Sequence, residues 1–318
     1  CAFFSSILKK EHMRVGTFVS PHLVDFEERI TVDGRMIPKE DVTRLGNYLL
    51  DIDFGIGLTM FDYCLAMALL YFEEQQCDYM VIETGLGGRL DSTNAIGTPQ
   101  CAVITKIGYD HMAILGSDIA DIAAEKAGII KENGTVVVEQ QDKRAMQVIE
   151  QEAQKKHARI ITVEQSDIAR CSGYALRLCG TFQWENAAAA ELAARYVLEK
   201  HYGGPEYEMQ YDKTGAKREE TDLYPGEKFC FFMGVMSDKD YDVMIREILP
   251  LAEEFYTVTP DSDRALQASN LADFIRKEGV KATELSGVDE IRKHLKRDTK
   301  NVAFGSLYFI GELKQHRI

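Results

Sequence analysis

Apolar residues recur along this chain in two alternating rhythms: short buried runs, and longer stripes at helical spacing. The runs Met13–Val19, Tyr79–Glu83, Ala102–Ile107, Thr135–Val138 and Arg159–Val163 predict strands. Arg29–Val32 predicts another, closed by the Asp33-Gly34 turn signal. Between them Cys1–Lys10, Lys39–Asp51, Thr59–Cys77, Asp118–Ala127, Arg144–Lys156 and Glu185–His201 read as helices. Phe61, Leu65, Ala68 and Phe72 illustrate the stripe. A polar stretch, Gly203–Lys228, interrupts the pattern. The alternation then resumes with strands at Phe229–Met236, Glu254–Thr259, Val280–Leu285 and Asn301–Phe304. Helices at Tyr241–Leu251, Ala265–Glu278 and Val288–Lys296 separate them. Such alternation predicts βαβ units and a mostly parallel sheet, hence an α/β fold with a first domain at 1–203 and a smaller second one at 204–318.

Length and charge narrow the picture. The 318 residues suffice for two ordinary domains. With 37 basic and 51 acidic residues the net charge is −14, which argues against nucleic acid or an anionic membrane as the main partner. A phosphorylated ligand in a locally positive cleft stays compatible with it. Cysteines at 1, 64, 77, 101, 171, 179 and 230 show no CxxC spacing and read as reduced thiols of a cytoplasmic protein. No apolar run approaches the roughly 18 residues of a membrane span, and no signal peptide is visible. The chain opens on Cys1 rather than Met, in a segment that reads as a helix already under way, so the start of the fold is expected upstream.

The chemistry gathers at strand ends. Glu83 ends an apolar strand and runs straight into Gly85, Gly87 and Gly88. A carboxylate there must be solvated, paired or coordinated, and magnesium is the natural cation for oxygen ligands beside phosphates. The next strand opens onto Asp110-His111. Ligands of open parallel sheets sit beyond the carboxyl ends of strands, so this acid and imidazole suggest one polar site for a cation and an anion. Each residue alone has a plainer account. Glu83 could face water, and His111 could be a satisfied structural histidine. Ser20 before Pro21 could be a turn residue. The glycine run could be a simple turn, since it is not a GxGxxG fingerprint. Lys126 could be a solvated lysine near a helix C-terminus, and Thr181 or Asn186 a helix cap. Asp238-Lys239-Asp240 could cap a helix or reach back toward the first domain.

Taken together, SPHL at 20–23, ERI at 28–30, ETGLGGRLDSTN at 83–94, ITKIGYDH at 104–111 and LGSDIADIAAEKAGIIK at 115–131 carry a resemblance. GTFQWENAAAA at 180–190, GVMSDKD at 234–240 and GSLYFIGE at 305–312 extend it in order. The chain resembles the folylpolyglutamate synthase/dihydrofolate synthase family, a branch of the Mur-ligase-like amide-forming enzymes. The resemblance implies an ATPase-like domain of the Mur-ligase central type, followed by a smaller Rossmann-like α/β domain. It implies a magnesium- and ATP-dependent ligase that phosphorylates a folate or dihydropteroate carboxylate and couples the acyl phosphate to L-glutamate. By position in the family motifs, Ser20, Glu83 and His111 match the metal site, and Lys126 matches a lysine that becomes carbamylated. Lys126, His111 and Glu83 are thereby implied as catalytic. Asn186 and Gln183 match the ATP-binding segment, and Arg89 and Asp91 the folate or phosphoryl path. A monomer is implied, with domain closure excluding water from the acyl phosphate.

Two family elements are missing from the sequence. The glycine-rich phosphate loop should stand immediately before Cys1. A tryptophan-proline-glycine-arginine segment and an aspartate-glycine-alanine-histidine-asparagine segment should open the second domain, where the polar stretch 203–228 stands instead. The region 131–180 also looks shortened. Either these residues are part of a longer protein, or the chain is a catalytically incompetent folate- or nucleotide-binding relative. The first account expects an intact mass well above 35.9 kDa; the second expects negligible ligation. A peptidoglycan-precursor ligase of the same superfamily is disfavoured by SPHL together with GLGGRLDSTN. Acceptance of dihydropteroate and the length of the glutamate tail stay open at this point.

Overall fold

The computed structural model describes residues 1–174, 182–203, 228–237, 239, 241–296, 299–316 and 318. The chain divides into two compact units, one of Cys1–His22 with Phe26–Glu219, the other of Leu23–Asp25 with Glu220–Ile318. The expected boundary at 203/204 adjoins residues outside the described set. No helix among the described residues is long and apolar enough to cross a membrane.

The first unit begins with α1 (Ala2–Lys10), β1 (Val15–Phe18), β2 (Ile30–Val32), β3 (Arg35–Met36), α2 (Lys39–Leu50), α3 (Met60–Glu74) and β4 (Tyr79–Ile82). The strands order as β3-β2-β1-β4. β1 and β4 are parallel, with Phe18 opposite Ile82, whereas β2 and β3 run antiparallel. Asp33 and Gly34, both at positive φ, make the tight turn between them. α3 begins at a capping box in which Thr59 and Asp62 exchange hydrogen bonds. The helix then lies close on β1: a Cβ on Gly16 would stand 2.5 Å from the Phe72 ring.

The same unit continues with β5 (Ala102–Ile104), α4 (Met112–Leu115), α5 (Ile119–Ala127), β6 (Thr135–Val138), α6 (Lys143–Lys155), β7 (Arg159–Thr162), α7 (Gln165–Ser172) and α8 (Phe182–Tyr202). Here β5-β6-β7 form an all-parallel sheet. Val136 and Val138 pack with Ile122, Ala123 and Ile149 of α5 and α6. Val137 faces the opposite way, onto Ala187–Ala189 of α8. A central strand covered on both faces favours apolar residues on both, which is why Val136–Val138 reads as a continuous run and not as an alternation, and the buried Thr135 hydroxyl pairs with that of Tyr196 at 2.9 Å.

The second unit holds β8 (Phe229–Gly234), α9 (Tyr241–Ile248), β9 (Ala252–Thr257), α10 (Ala268–Lys277), β10 (Lys281–Glu284), α11 (Ile291–His294), β11 (Lys300–Gly305) and α12 (Leu307–Gln315). Its strands order as β10-β9-β8-β11, all parallel. Phe231 packs on one face and Phe232 on the other.

Several elements depart from the expectations. α7 is largely polar and buries only Cys171, so it shows no apolar stripe. α12 opens on the run Leu-Tyr-Phe-Ile, which has no helical period; its start is set by Ser306, whose hydroxyl accepts from the Phe309 N–H at 3.2 Å. α8 starts at Phe182, so Asn186 lies within the helix and is not its cap. Thr181, Asp238 and Asp240 lie outside the described residues.

Candidate functional site

The tips of β1 and β4 meet beyond the sheet. The Glu83 N–H donates to the Phe18 carbonyl at 2.9 Å, extending the parallel ladder by one step. The Ser20 N–H then donates to Glu83 Oε2 at 3.0 Å. α1 lies along the same sheet. That helix is pinned to β1 by Ser5 and Thr17, whose hydroxyl oxygens lie 2.8 Å apart. Glu83 is half-buried. A serine hydroxyl and a carboxylate at one strand edge are hard oxygen donors of the kind Mg²⁺ prefers, and their chemistry fits that ion.

His111 lies beyond β5. It opens α4 with φ of 51°, a left-handed conformation. Its backbone N–H donates to Asp110 Oδ1 at 2.8 Å, and its Nε2 lies 3.9 Å from the same oxygen. It makes no hydrogen bond to Ser20 or Glu83. Among the described residues no cluster of three or more His, Cys, Asp or Glu side chains could hold a metal ion. Ser20 and Glu83 are joined by a hydrogen bond, and His111 bonds to neither of them.

The GLGGRLDSTN loop and the EKAG end of α5 are interlocked. Arg89 Nη2 and Nε reach Glu125 Oε1 at 2.7 and 3.1 Å, while the Arg89 N–H donates to the Glu125 carbonyl at 2.8 Å. A Cβ on Gly88 would stand 2.8 Å from that carbonyl oxygen, and one on Gly128 only 2.3 Å from Arg89 Cβ. Only glycine permits so close an approach on both sides. Asp91 Oδ2 accepts from the Leu86 N–H at 2.8 Å, and its Oδ1 from the Thr93 N–H and hydroxyl at 3.0 and 2.6 Å. Asn94 Nδ2 donates to the carbonyls of Arg89 and Gly128 at 3.0 and 3.1 Å, and Lys131 Nζ to the Asn94 carbonyl at 2.7 Å. Asp91 and the Nε and Nη2 of Arg89 are thus engaged in holding the loop. Lys126, in the last turn of α5, is half-buried and has no hydrogen-bond partner among the described residues.

Asp62 also serves this loop, and it escaped the sequence reading. Hydrogen bonds from the Ser92 hydroxyl, then from Thr59, hold its carboxyl below the usual carboxylate range. The Thr-x-x-Asp spacing at 59–62 is the signal that could have found it. Met60 and Leu90, in the two segments so joined, are among the most exposed apolar side chains of the chain.

A second group forms beyond β5 and β6. Lys106 Nζ lies 3.9 Å from Glu185 Oε2 in the first turn of α8. In that same turn Asn186 Nδ2 donates to Gln183 Oε1 at 3.2 Å, so the two expected nucleotide residues stand together. Glu139, at the end of β6, is 2% exposed. Burial pushes its carboxyl up, partly offset by the Lys106 N–H. It was not foreseen, because one Glu after a Val run carries no pattern.

Comparison with known proteins follows the same residues. The family model described as the Mur ligase middle domain matches residues 55–194. The dihydrofolate synthase/folylpolyglutamate synthase of Bacillus subtilis is 30% identical over 381 aligned positions, spanning 99% of this chain and 86% of that protein. A Mycobacterium tuberculosis folylpolyglutamate synthase complexed with ADP and AMPPCP shares the fold at TM-score 0.79 and 24% identity, covering 99% of this chain and 87% of that one. The bifunctional Yersinia pestis enzyme complexed with AMPPNP and Mn ion does so at 0.78 and 20% identity, covering 100% and 86%.

Proposed function

This chain belongs to the dihydrofolate synthase/folylpolyglutamate synthase family, and from that premise we propose that it ligates L-glutamate to the carboxylate of a reduced folate or dihydropteroate at the expense of ATP. A carboxylate is a poor electrophile until one of its oxygens becomes a good leaving group. The γ-phosphoryl group of ATP passes to that oxygen, its bond to ADP breaking as the new P–O bond forms. The glutamate amino group then adds to the acyl carbon, the C–O bond to phosphate breaks, and one proton leaves as the amide forms.

The observation that carries this reading is the Ser20–Glu83 contact at paired parallel strand tips. It brings Ser20 and the Glu83 carboxylate together beyond the carboxyl ends of parallel strands, where ligands of open sheets sit. Ser20 and Glu83 would hold Mg²⁺, with His111 as a further ligand. When bound, the ion would screen phosphate charge and polarise the transferring group. Arg89 and Asp91 act here by shaping the GLGGRLDSTN loop, whose exposed Leu90, with Met60, offers apolar surface to a flat aromatic substrate. Gln183 and Asn186 would take the nucleotide base. Lys126 lacks a described partner, which suits addition of CO₂ to its neutral amine; the carbamate so formed, with loss of one proton, would be an anionic group at the loop. The thiols of Cys1, Cys64, Cys77, Cys101, Cys171 and Cys230 are unpaired, which supports a cytoplasmic setting. We expect a monomer.

The test is ligation by the full-length protein. ADP release should require both glutamate and a folate acceptor, and the acceptor should gain one glutamate residue by mass. Nucleotide binding with no product from either acceptor would turn the reading to a binding-only relative.

A further inference from the structure

The β5–β6 ladder stops at Ile104 opposite Val138, with one more backbone bond from the Glu139 N–H to the Ile104 carbonyl at 3.0 Å. Residues 105–111 then form neither strand nor helix, and only Ile107 of them is buried, so the backbone at the start of this segment has no ladder to hold it. Two side chains hold it instead. Glu139 Oε2 accepts from the Lys106 N–H at 2.7 Å, and Gln141 Oε1 from the Ile107 N–H at 2.8 Å. Gln141 Nε2 donates back to the Thr105 carbonyl at 3.0 Å. Three consecutive residues are thus braced from the tip of the neighbouring strand. They lead in one direction to His111, and through the Lys106 side chain they face Glu185 beside Gln183 and Asn186.

We propose that Glu139, assisted by Gln141, is a positioning residue for the ligase reaction: it fixes the path of Thr105–Ile107 and so the placement of both His111 and the first turn of α8. A carboxylate is a costly group to bury for bracing alone. Glu139 is 2% exposed, and its Oε1 is a buried side-chain oxygen without a hydrogen-bond partner. An apolar residue here would leave the Lys106 N–H unserved. The inference rests on the function proposed above, and its test separates the two.

Wild type, Glu139→Ala, Glu139→Gln and Gln141→Ala are compared well below their melting temperatures, by ligation kinetics and by amide hydrogen exchange over 104–111. Glu139→Ala should lower kcat about tenfold and raise KM for ATP severalfold, leaving KM for the folate acceptor unchanged. Exchange at Lys106 should quicken about tenfold. Glu139→Gln retains an acceptor oxygen, so it should restore protection and bring kcat to within about threefold of wild type. If Glu139→Ala does not fold, Gln141→Ala must show the same split. Unchanged kcat and exchange in the alanine variants would overturn the inference, as would equal rises in both KM values. Failure of Glu139→Gln to rescue would overturn it too. If the wild type ligates nothing, the proposed function falls, and exchange alone decides the positioning claim.

Discussion

Glu191 and Glu139 are equally hidden, each 2% exposed, yet they are treated in opposite ways. Glu191, where α7 meets α8, is saturated. Arg170 Nε and Arg195 Nη2 reach its Oε1 at 3.0 and 3.3 Å, and Tyr174 OH and Cys171 Sγ reach its Oε2 at 3.1 and 3.4 Å. Burial and then the Glu191 charge push the Cys171 thiol and the Tyr174 hydroxyl each up to about 12, so both stay neutral donors. Glu139, at the β6 tip, has one backbone N–H and one oxygen without a partner. Glu254 of the second unit follows the first pattern. Burial pushes its carboxyl up, but Lys281 and Lys296 outweigh that and hold it below the usual range. Glu191 and Glu254 are surrounded by donors, while Glu139 at a strand tip is left partly unmatched. Burial alone does not tell them apart.

Removing the saturated acid should have the largest effect. Glu191→Ala takes one acceptor from Arg170 and from Arg195, and leaves the half-buried Tyr174 hydroxyl and the buried Cys171 thiol without theirs, and should cost about 3 kcal/mol of stability in urea unfolding. A loss under about 1 kcal/mol would show that the network relaxes freely and would erase the contrast. At the sheet edge the expected effect moves from stability to activity. Glu83→Gln should reduce ligation about 100-fold, roughly 2.7 kcal/mol of transition-state stabilisation, with unfolding shifted by less than about 1 kcal/mol. A variant that unfolds instead would mark Glu83 as another structural acid.

The glycine interlock should fall between these. Gly128→Ala places a methyl group 2.3 Å from Arg89 Cβ, so it should cost about 2 kcal/mol, seen as a lowered melting temperature. The smallest effect is the pH response of Glu139. Its pKa is raised on folding, so the native state favours the protonated acid. That contribution is fully present below the unfolded pKa and lost as pH rises through the folded one. Glu139→Gln should therefore be more stable than wild type above neutral pH, with the gain vanishing as pH falls toward the ordinary carboxylate range. A pH-independent difference would mean that Glu139 does not titrate differently on folding.

The helix–strand alternation was legible wherever an element buries a stripe or a run, as in α3, α6 and β6. It was not legible in α7, whose one buried side chain gives no period, nor in α12, whose apolar residues are consecutive. Arg89 and Asp91 were legible as motif residues, but their partners were not. Glu125 lies 36 positions from Arg89, and neither sequence segment signals that the other will receive it.

Taken by itself, the amino-acid sequence located the parallel strands of each unit and placed Glu83 just beyond the end of β4, whereas the expected strand 102–107 ends at Ile104 and leaves His111 seven residues further on. Those are consequences of local period and turn chemistry, which act within a few residues. Only the tertiary structure decided that Ser20 meets Glu83 across 63 positions, and that Glu139 and Gln141 brace the chain leading to His111. Such pairings arise when strands far apart in sequence become neighbours and their buried polar groups must find partners in the space that packing leaves.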